Sequence, residues 1–482
     1  MKRIQNKYPW RFLVTAFAAS ILLSGCAVGP TYKAPQTSVA ASFANSPTNA
    51  VNADETTLAT WWKGFKDEKL DALVALAIVQ NLDLRIATAN LKEARALRHL
   101  TTYDLAPTIQ ANAGYEKGLL SKAAAPPGTS RGAREFDLYE ASFDATWELD
   151  LFGHVRRSVQ AATAQFSAAE ATRLDVLVSV TAEVARNYLE LRGLQNQLAV
   201  ARRNADVQTE TLKITQSRLV GGRGTDFDVS RSRSLLNLTL STIPPLKAGI
   251  LKAIHRIAVL VGQQPTTLTT ELSVPAPLPL VMPTLALTNP ELLLRRRPDI
   301  RAAERLLAAA TARIGVATAD LFPRVTLVGS VGLQADTFAG LGKNGGDTWN
   351  FGPRITWAAL DLGRVQARIK AADARIEASL AFYEQAVLTA LQETEDALVV
   401  FGEEQTRQQF LEASAQASQQ AAALAHQRYD AGATDFLSVL DAERTLLEAQ
   451  DRLAASQTQT ATAFVAVYKA LGGGVPLTEP KL

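Results

Sequence analysis

Tyr139-Glu140-Ala141-Ser142-Phe143-Asp144-Ala145-Thr146-Trp147-Glu148-Leu149-Asp150-Leu151 alternates apolar and polar residues without a break. A strand points successive side chains to opposite faces, so this run predicts one apolar and one wet face. Tyr139, Ala141, Phe143, Ala145, Trp147, Leu149 and Leu151 make the apolar face, and Glu140, Asp144, Glu148 and Asp150 fall on the other. Strands of about 9–11 residues or more with aromatic ends are the pattern of an outer-membrane barrel. In such a barrel the apolar face meets lipid. The four acids are then expected to line a water-filled lumen and make it negative.

Residues 108–115 supply a partner strand, in which Ile109, Ala111, Ala113 and Tyr115 alternate with Thr108, Gln110 and Asn112. Two further strands are expected at 324–333 and 349–360. Pro353 weakens the last, because proline lacks a ladder donor, and it is expected at a rim or bulge. Loops 118–134 and 334–348 join the strands of each pair. Gly340, Gly342 and Gly345 form a GxGxxG in the second loop. A dinucleotide fingerprint needs a helix after its glycines, and here a strand follows, so no cofactor is expected. Four strands cannot close a barrel, since closed barrels start at about 8. Open edges in lipid leave backbone groups unpaired at several kcal/mol each. Copies of the chain must therefore share one barrel, and three copies give about 12 strands.

The sequence is written twice. Asp150-Leu151-Phe152-Gly153-His154-Val155-Arg156 recurs as Asp361-Leu362-Gly363-Arg364-Val365, and Trp147 matches Trp357. Leu105-Ala106-Pro107 recurs as Leu321-Phe322-Pro323, and Thr225-Asp226-Phe227 as Thr434-Asp435-Phe436. Asn81-Leu82-Asp83-Leu84-Arg85 returns more weakly as Arg297-Pro298-Asp299-Ile300-Arg301. All are spaced by about 210–216 residues, the signature of a tandem duplication. The first repeat is expected at 70–262 with its hairpin at 104–151, the second at 289–472 with its hairpin at 321–361. A Pro- and Thr-rich segment, 263–288, reads as an extended linker, and 473–482 as a tail.

Each repeat opens with a helix, at 70–102 and 299–320. Pro298 suits a first helical turn, and Asp299 and Glu304 complement its dipole. Arg295, Arg296 and Arg297 are read as pairing nearby carboxylates rather than nucleic acid. Residues 155–220 hold no proline and almost no glycine, enough for a helix on the order of 100 Å. Val155, Val159, Ala162 and Phe166 step by coiled-coil spacing, as do Val365, Ile369, Ala372 and Ile376. The helices reverse near 221–228 and 430–441. The fold class is therefore an α+β membrane protein with four strands and long coiled-coil helices per chain.

Residues 1–25 read as a secretory signal: Lys2, Arg3, Lys7 and Arg11, then an apolar run, then Leu23-Ser24-Gly25-Cys26. Cys26, the single cysteine, stands where a lipobox places its acylated residue, and it opens an anchored segment at 26–69. Taking away the four leader cations turns the formal charge of +3 into −1. A mature chain without basic excess is a poor phosphate binder, so nucleic acid is not an expected partner. The four histidines are scattered, and no metal spacing, Walker sequence, GxSxG or CxxC occurs. Neither a metal site nor an enzyme is expected. A lipid-anchored periplasmic hydrolase is disfavoured by the alternating strands.

The lipobox followed by Gly29-Pro30-Thr31-Tyr32, the stretch Leu294-Arg295-Arg296-Arg297-Pro298-Asp299-Ile300-Arg301-Ala302-Ala303-Glu304 and the turn Ser438-Val439-Leu440-Asp441-Ala442 together resemble the TolC-type outer membrane factors, closest to their lipoprotein (NodT/OprM-like) branch. The resemblance spans essentially the whole mature chain. It implies a homotrimer with a shared 12-stranded β-barrel in the outer membrane and a periplasmic α-barrel below it. Such a trimer is the exit duct of a tripartite efflux pump. Its implied partners are a periplasmic adaptor and an inner-membrane transporter, often of the resistance-nodulation-division class. It also implies a periplasmic gate at Leu437, Asp441 and Arg444, which share one helix face. Asp228 and Tyr429 match the family's turn latch, but Thr434 stands where a basic residue is usual. The competing reading is an outer-membrane lipoprotein with a tethering coiled coil and no pore, which has no use for a wet-faced strand.

Overall fold

A computed structural model describes residues 27–46, 51–52, 55–279 and 285–475. The expected leader, Cys26 and most of the expected tail lie outside the described residues. The chain divides into two compact units. One takes the described part of Met1–Gln36 with Asn90–Ala169 and Ala302–Glu384. The other takes Thr37–Ala89, Glu170–Arg301 and Gln385–Leu482, again where described.

The first unit holds a four-stranded sheet of β1 (Thr108–Leu119), β2 (Glu135–Leu149), β3 (Arg324–Ala335) and β4 (Asp347–Thr356). The order is β1-β2-β3-β4, every pair antiparallel, so β1 and β4 are free edges. Both hairpins carry one tether. Trp147 donates its indole N–H to the Leu105 carbonyl and Trp357 to the Leu321 carbonyl, each at 3.0 Å. Pro353 is neither at a rim nor in a bulge. It sits inside β4 opposite Leu327, and the register runs unbroken from Arg324↔Thr356 to Leu333↔Asp347. β4 keeps its register with β3 although Pro353 brings no ladder donor.

The repeat-opening helices carry one difference from expectation. The span 70–102 is not one helix but two, α1 (Glu68–Gln80) and α2 (Leu82–Tyr103), broken at Asn81. The second repeat has the same break at Arg297, between α5 (Pro290–Arg296) and α6 (Pro298–Ala319). Residues Glu68–Tyr103 are apolar enough over a membrane-length window to pass for a span. The break at Asn81 and the burial of Leu70, Leu73, Val74 and Ala77 in a protein core argue otherwise.

The long helices form as expected. They are α3 (His154–Val220) and α4 (Asp226–Leu260), then α7 (Leu362–Asp430) and α8 (Phe436–Ala470). α4 carries Pro244 and Pro245 inside it, where α8 has Ala454 and Ala455. In the second unit, Trp61 stacks on Tyr468 at 5.4 Å, and Phe65, Phe401 and Phe464 continue the aromatic cluster. Leu189, Ile254, Ile257 and Val467 complete that core. The linker is not wholly extended. It contains a helical turn at Thr269–Leu272, and Ala286–Leu287 pairs in parallel with Val51–Asn52.

Candidate functional site: a two-faced sheet and a helix turn

Cross-strand partners share a face, so the register assigns every residue of the sheet. One row runs Gln110, Asp144, Ser330, Asn350, and the next Asn112, Ser142, Gly332, Thr348. This face is polar along these rows, with Val328 and Leu138 the apolar residues nearest to them on it. Asn112 donates to Asp144, and Asn350 to the Ser330 hydroxyl at 2.8 Å. The opposite face reads Ala111, Phe143, Val331, Trp349 and then Ile109, Ala145, Gly329, Phe351. Its large residues stand in the open, with Phe143 61%, Trp349 77% and Phe351 71% exposed. A contiguous apolar surface of that kind is an interaction face, not a water-facing one.

Glu140, Asp144 and Glu148 lie on the polar face, as expected. Asp150 does not. It falls one residue past β2, and its carboxylate accepts from the backbone N–H of Val155 (3.0 Å) and Arg156 (2.8 Å) and from Arg156 Nε (3.0 Å). These amides belong to the first turn of α3, where no intrahelical partner exists. Asp150 is a helix-start anchor rather than a lumen acid. Glu148 lies beside His154, with Oε1 3.4 Å from Nδ1.

The two helix reversals are built alike. Gly222 and Gly432 both take φ +70, which suits glycine, and the N–H groups of Arg223 and Ala433 reach back to Arg218 and Arg428 at 2.8 Å. The next helix starts at Thr225 in one repeat and Asp435 in the other. The repeated Thr-Asp-Phe motif is thus offset by one residue in its capping role. Thr225 and Asp228 form a reciprocal capping box, which commits Asp228 to its own helix start. Asp435 accepts from the Ser438 hydroxyl and amide, which together hold its carboxyl below the usual range.

On α8, Asp441 pairs with Arg444 at 2.9 Å, Arg444 reaches Glu448 at 2.8 Å, and Leu437 is 44% exposed one turn earlier. The sequence-expected gate trio does share a face of one helix. Asp228 and Tyr429 are not joined by a hydrogen bond among the described residues. Tyr429 instead lies under the Arg218 guanidinium at 4.2 Å and against Phe436 at 5.3 Å. Thr434 donates to Ser438.

Two features escaped the sequence reading. Glu443 is buried, accepts from the Thr211 hydroxyl at 3.1 Å and lies 2.9 Å from His426 Nε2. Its signal was an acid on the apolar stripe of Phe436, Val439 and Leu440. The second is a clamp on the segment after Cys26. Buried Arg157 donates to the carbonyls of Ala27, Val28 and Gly29, and Val28 N–H donates to Phe152. Gly29 backs against Gly315, where an added methyl would sit 2.6 Å from its Cα. Tyr32 donates to Glu304 at 2.7 Å, and burial with that carboxylate pushes its phenol pKa up.

A sheet with one largely apolar face, one largely polar face and two free edges, on a chain whose helices run to 67 and 69 residues, has the parts of a membrane-channel subunit. The chain belongs to the outer membrane efflux protein family, whose model matches residues 73–263 and 289–473. It is an outer-membrane efflux channel protein with a periplasmic part. It is 31% identical over 472 residues to the solvent efflux pump outer membrane protein SrpC of Pseudomonas putida, covering 96% of this chain and 98% of that one. Nodulation protein T of Rhizobium leguminosarum bv. trifolii is 31% identical over 463 residues, 94% of this chain and 96% of that one. Among solved structures, the outer-membrane channel OprN superposes with a TM-score of 0.87 at 41% identity, covering 93% of this chain and 99% of that one. The open MtrE channel of Neisseria gonorrhoeae does so at 0.81 and 28% identity, covering 93% of this chain and 98% of that one.

Proposed function

We propose that three copies of the chain form the exit duct of a tripartite pump, fed by an inner-membrane transporter through a periplasmic adaptor. The observation that carries this is the sheet: two-faced, four-stranded and open at both edges. Lipid does not accept such edges, so the sheet closes only with further copies. The transporter is of the resistance-nodulation-division class, in keeping with the resemblance to the NodT/OprM-like branch. Cys26 is acylated and holds the chain to the membrane. Glu140, Asp144 and Glu148 give the lumen its negative charge.

The periplasmic mouth closes where Asp441 of each copy approaches the axis, with Leu437 adding bulk and Arg444 bracing the carboxylate. Asp228, through its capping box with Thr225, and Tyr429, held against Arg218 and Phe436, latch the two turns. Opening then requires an adaptor that binds the open state better than the closed one. Conductance in planar bilayers tests the reading. The parent protein should conduct little, and Asp441→Ala severalfold more, while Glu170→Ala on α3 leaves conductance as it was. An assembled Asp441→Ala protein that conducts like the parent places the constriction elsewhere.

A further inference from the structure

The two hairpins obey one internal symmetry. Laying Trp147 on Trp357 and Leu105 on Leu321, which make the same hydrogen bond, carries Thr108 to Arg324 and Thr146 to Thr356. Thr108 pairs with Thr146 and Arg324 with Thr356, so both hairpins share one register. A third ladder joins the hairpins, β2 to β3, with Trp147 opposite Leu327 and Asp144 opposite Ser330. Under the same symmetry β4 seeks a strand equivalent to β3. That strand is β1, which lies at the far edge of the chain's own sheet. Only another copy can present it.

We infer that β4 of one copy pairs antiparallel with β1 of the next copy in one defined register. Trp357 lies opposite Ala111, Thr356 opposite Asn112, Arg354 opposite Gly114, Gly352 opposite Glu116 and Trp349 opposite Leu119 of that next copy. The inference rests on the reading that copies share one barrel, and adds which residues meet.

Three observations support this register. It sets Arg354 and Thr356 beside polar-face residues and Pro353 and Ile355 beside Tyr115 and Ala113, so each face continues across the seam. A slip of one residue would turn every side chain to the wrong face. β4 stops at Thr356, whereas β2, flanked on both sides, runs to Leu149, whose counterpart is Ala359. The missing residues are those that a neighbour would order into the ladder. Lastly, Arg354 and Glu140 have no polar side-chain partner among the described residues. Glu140 leans over Gly114, where an added methyl would sit 3.1 Å from its Oε1. Arg354 of one copy faces that bare glycine, and its guanidinium meets the Glu140 carboxylate of the next copy across it.

Paired cysteines read the register directly, because the parent chain has a single cysteine. Thr356→Cys with Asn112→Cys, and Gly352→Cys with Glu116→Cys, should give chain-to-chain disulfides after copper-phenanthroline oxidation of membranes. Gly352→Cys with Asn112→Cys is four residues out of register, on the order of 13 Å, too far to bridge. Crosslinks in that control, or none in the in-register pairs while glutaraldehyde still captures an oligomer, overturn the register and leave the shared barrel standing. No captured oligomer in any variant or the parent brings down the shared barrel itself. For the ion pair, Arg354→Glu should lower the temperature at which the oligomer dissociates in detergent gels. Adding Glu140→Arg should restore it, and a double variant no better than Arg354→Glu refutes that pair.

Discussion

Asn81 and Arg297 are the same joint built with different chemistry. Each ends one helix and starts the next with an extended residue, ψ 133 and ψ 122. Each N–H reaches back four residues, to Ala77 at 2.9 Å and Leu293 at 3.0 Å. Each side chain then donates to the last residue of its own repeat's return helix: Asn81 to the Leu260 carbonyl at 2.7 Å, Arg297 to the Ala470 carbonyl at 3.0 Å. What duplication has kept is the backbone break and one donor aimed at a helix end, where carbonyls lack partners. The rest has diverged. The Asn81 amide oxygen caps Leu84. Arg297 grips Asp299 with two nitrogens and Glu393 with one, beside a cavity of about 590 Å³ lined also by Asp175, Asp396 and Lys469. The second repeat has taken on buried charge at its joint, and again at Glu443 near its turn. The first repeat has taken on Pro244 and Pro245 in its return helix instead.

Removing each joint separates the two designs. Arg297→Ala strips a buried cation from two carboxylates and a carbonyl. Breaking a buried pair costs about 3–5 kcal/mol, and the half-exposed Glu393 puts this one near the low end. Asn81→Ala leaves an uncharged donor and acceptor unpaired, about 1–3 kcal/mol. Thermal unfolding followed by helical circular dichroism in detergent should therefore rank Arg297→Ala as the more damaging. Arg297→Lys should recover only part of the loss, since an ammonium cannot make the planar fork. If Asn81→Ala is equally damaging, the guanidinium adds nothing that an amide does not.

The turns give a smaller contrast. Thr225→Ala removes a hydroxyl cap, worth about 1 kcal/mol in the first turn of α4, and leaves the Asp228 half of the capping box in place. Asp435→Ala removes an ionised cap, and the parent turn should itself loosen in acid. The Asp435 carboxyl is held below its usual value, so its cap is complete above the unfolded pKa and fades as pH falls through the folded one. Amide hydrogen exchange at the start of α4 and α8, at pH 7 and pH 3, reads both. Equal acid sensitivity in the two turns would erase the distinction.

The legible part of this molecule was what repeats locally. Period-two alternation gave the strands, the absence of proline and near-absence of glycine gave α3, and the seam of Val365, Ile369, Ala372 and Ile376 gave α7. Pro298 announced the start of α6, while α5 before it went unread. The break at Asn81 was silent because its partner, Leu260, lies 179 residues away and no proline marks it. Asp150 misled because a helix-start carboxylate extends an alternating pattern as well as a lumen acid does; only the strand end at Leu149 separates them. Of the turn, the sequence held the Leu437, Asp441 and Arg444 face. It could not hold Tyr429 under Arg218, a contact between helices.

Asp175 tests how far the charge at the second joint has spread. It lines the same cavity as Arg297, and burial, then the Asp299 carboxylate, push its pKa up, with Arg297 and Lys469 opposing. An acid whose folded pKa lies above its unfolded one destabilises the fold once ionised. The penalty is absent below the unfolded value of 3.8, grows as pH rises through the folded value, and is complete above it. Asn cannot ionise, so Asp175→Asn should raise Tm at pH 7 by about 1–2 °C, and the gain should vanish toward pH 4. In the Arg297→Ala background the opposing cation is gone, and the gain should be larger. A variant that is less stable than the parent at pH 7 would mean that Asp175 supports Arg297, making the second joint a four-charge cluster and widening its distance from the first.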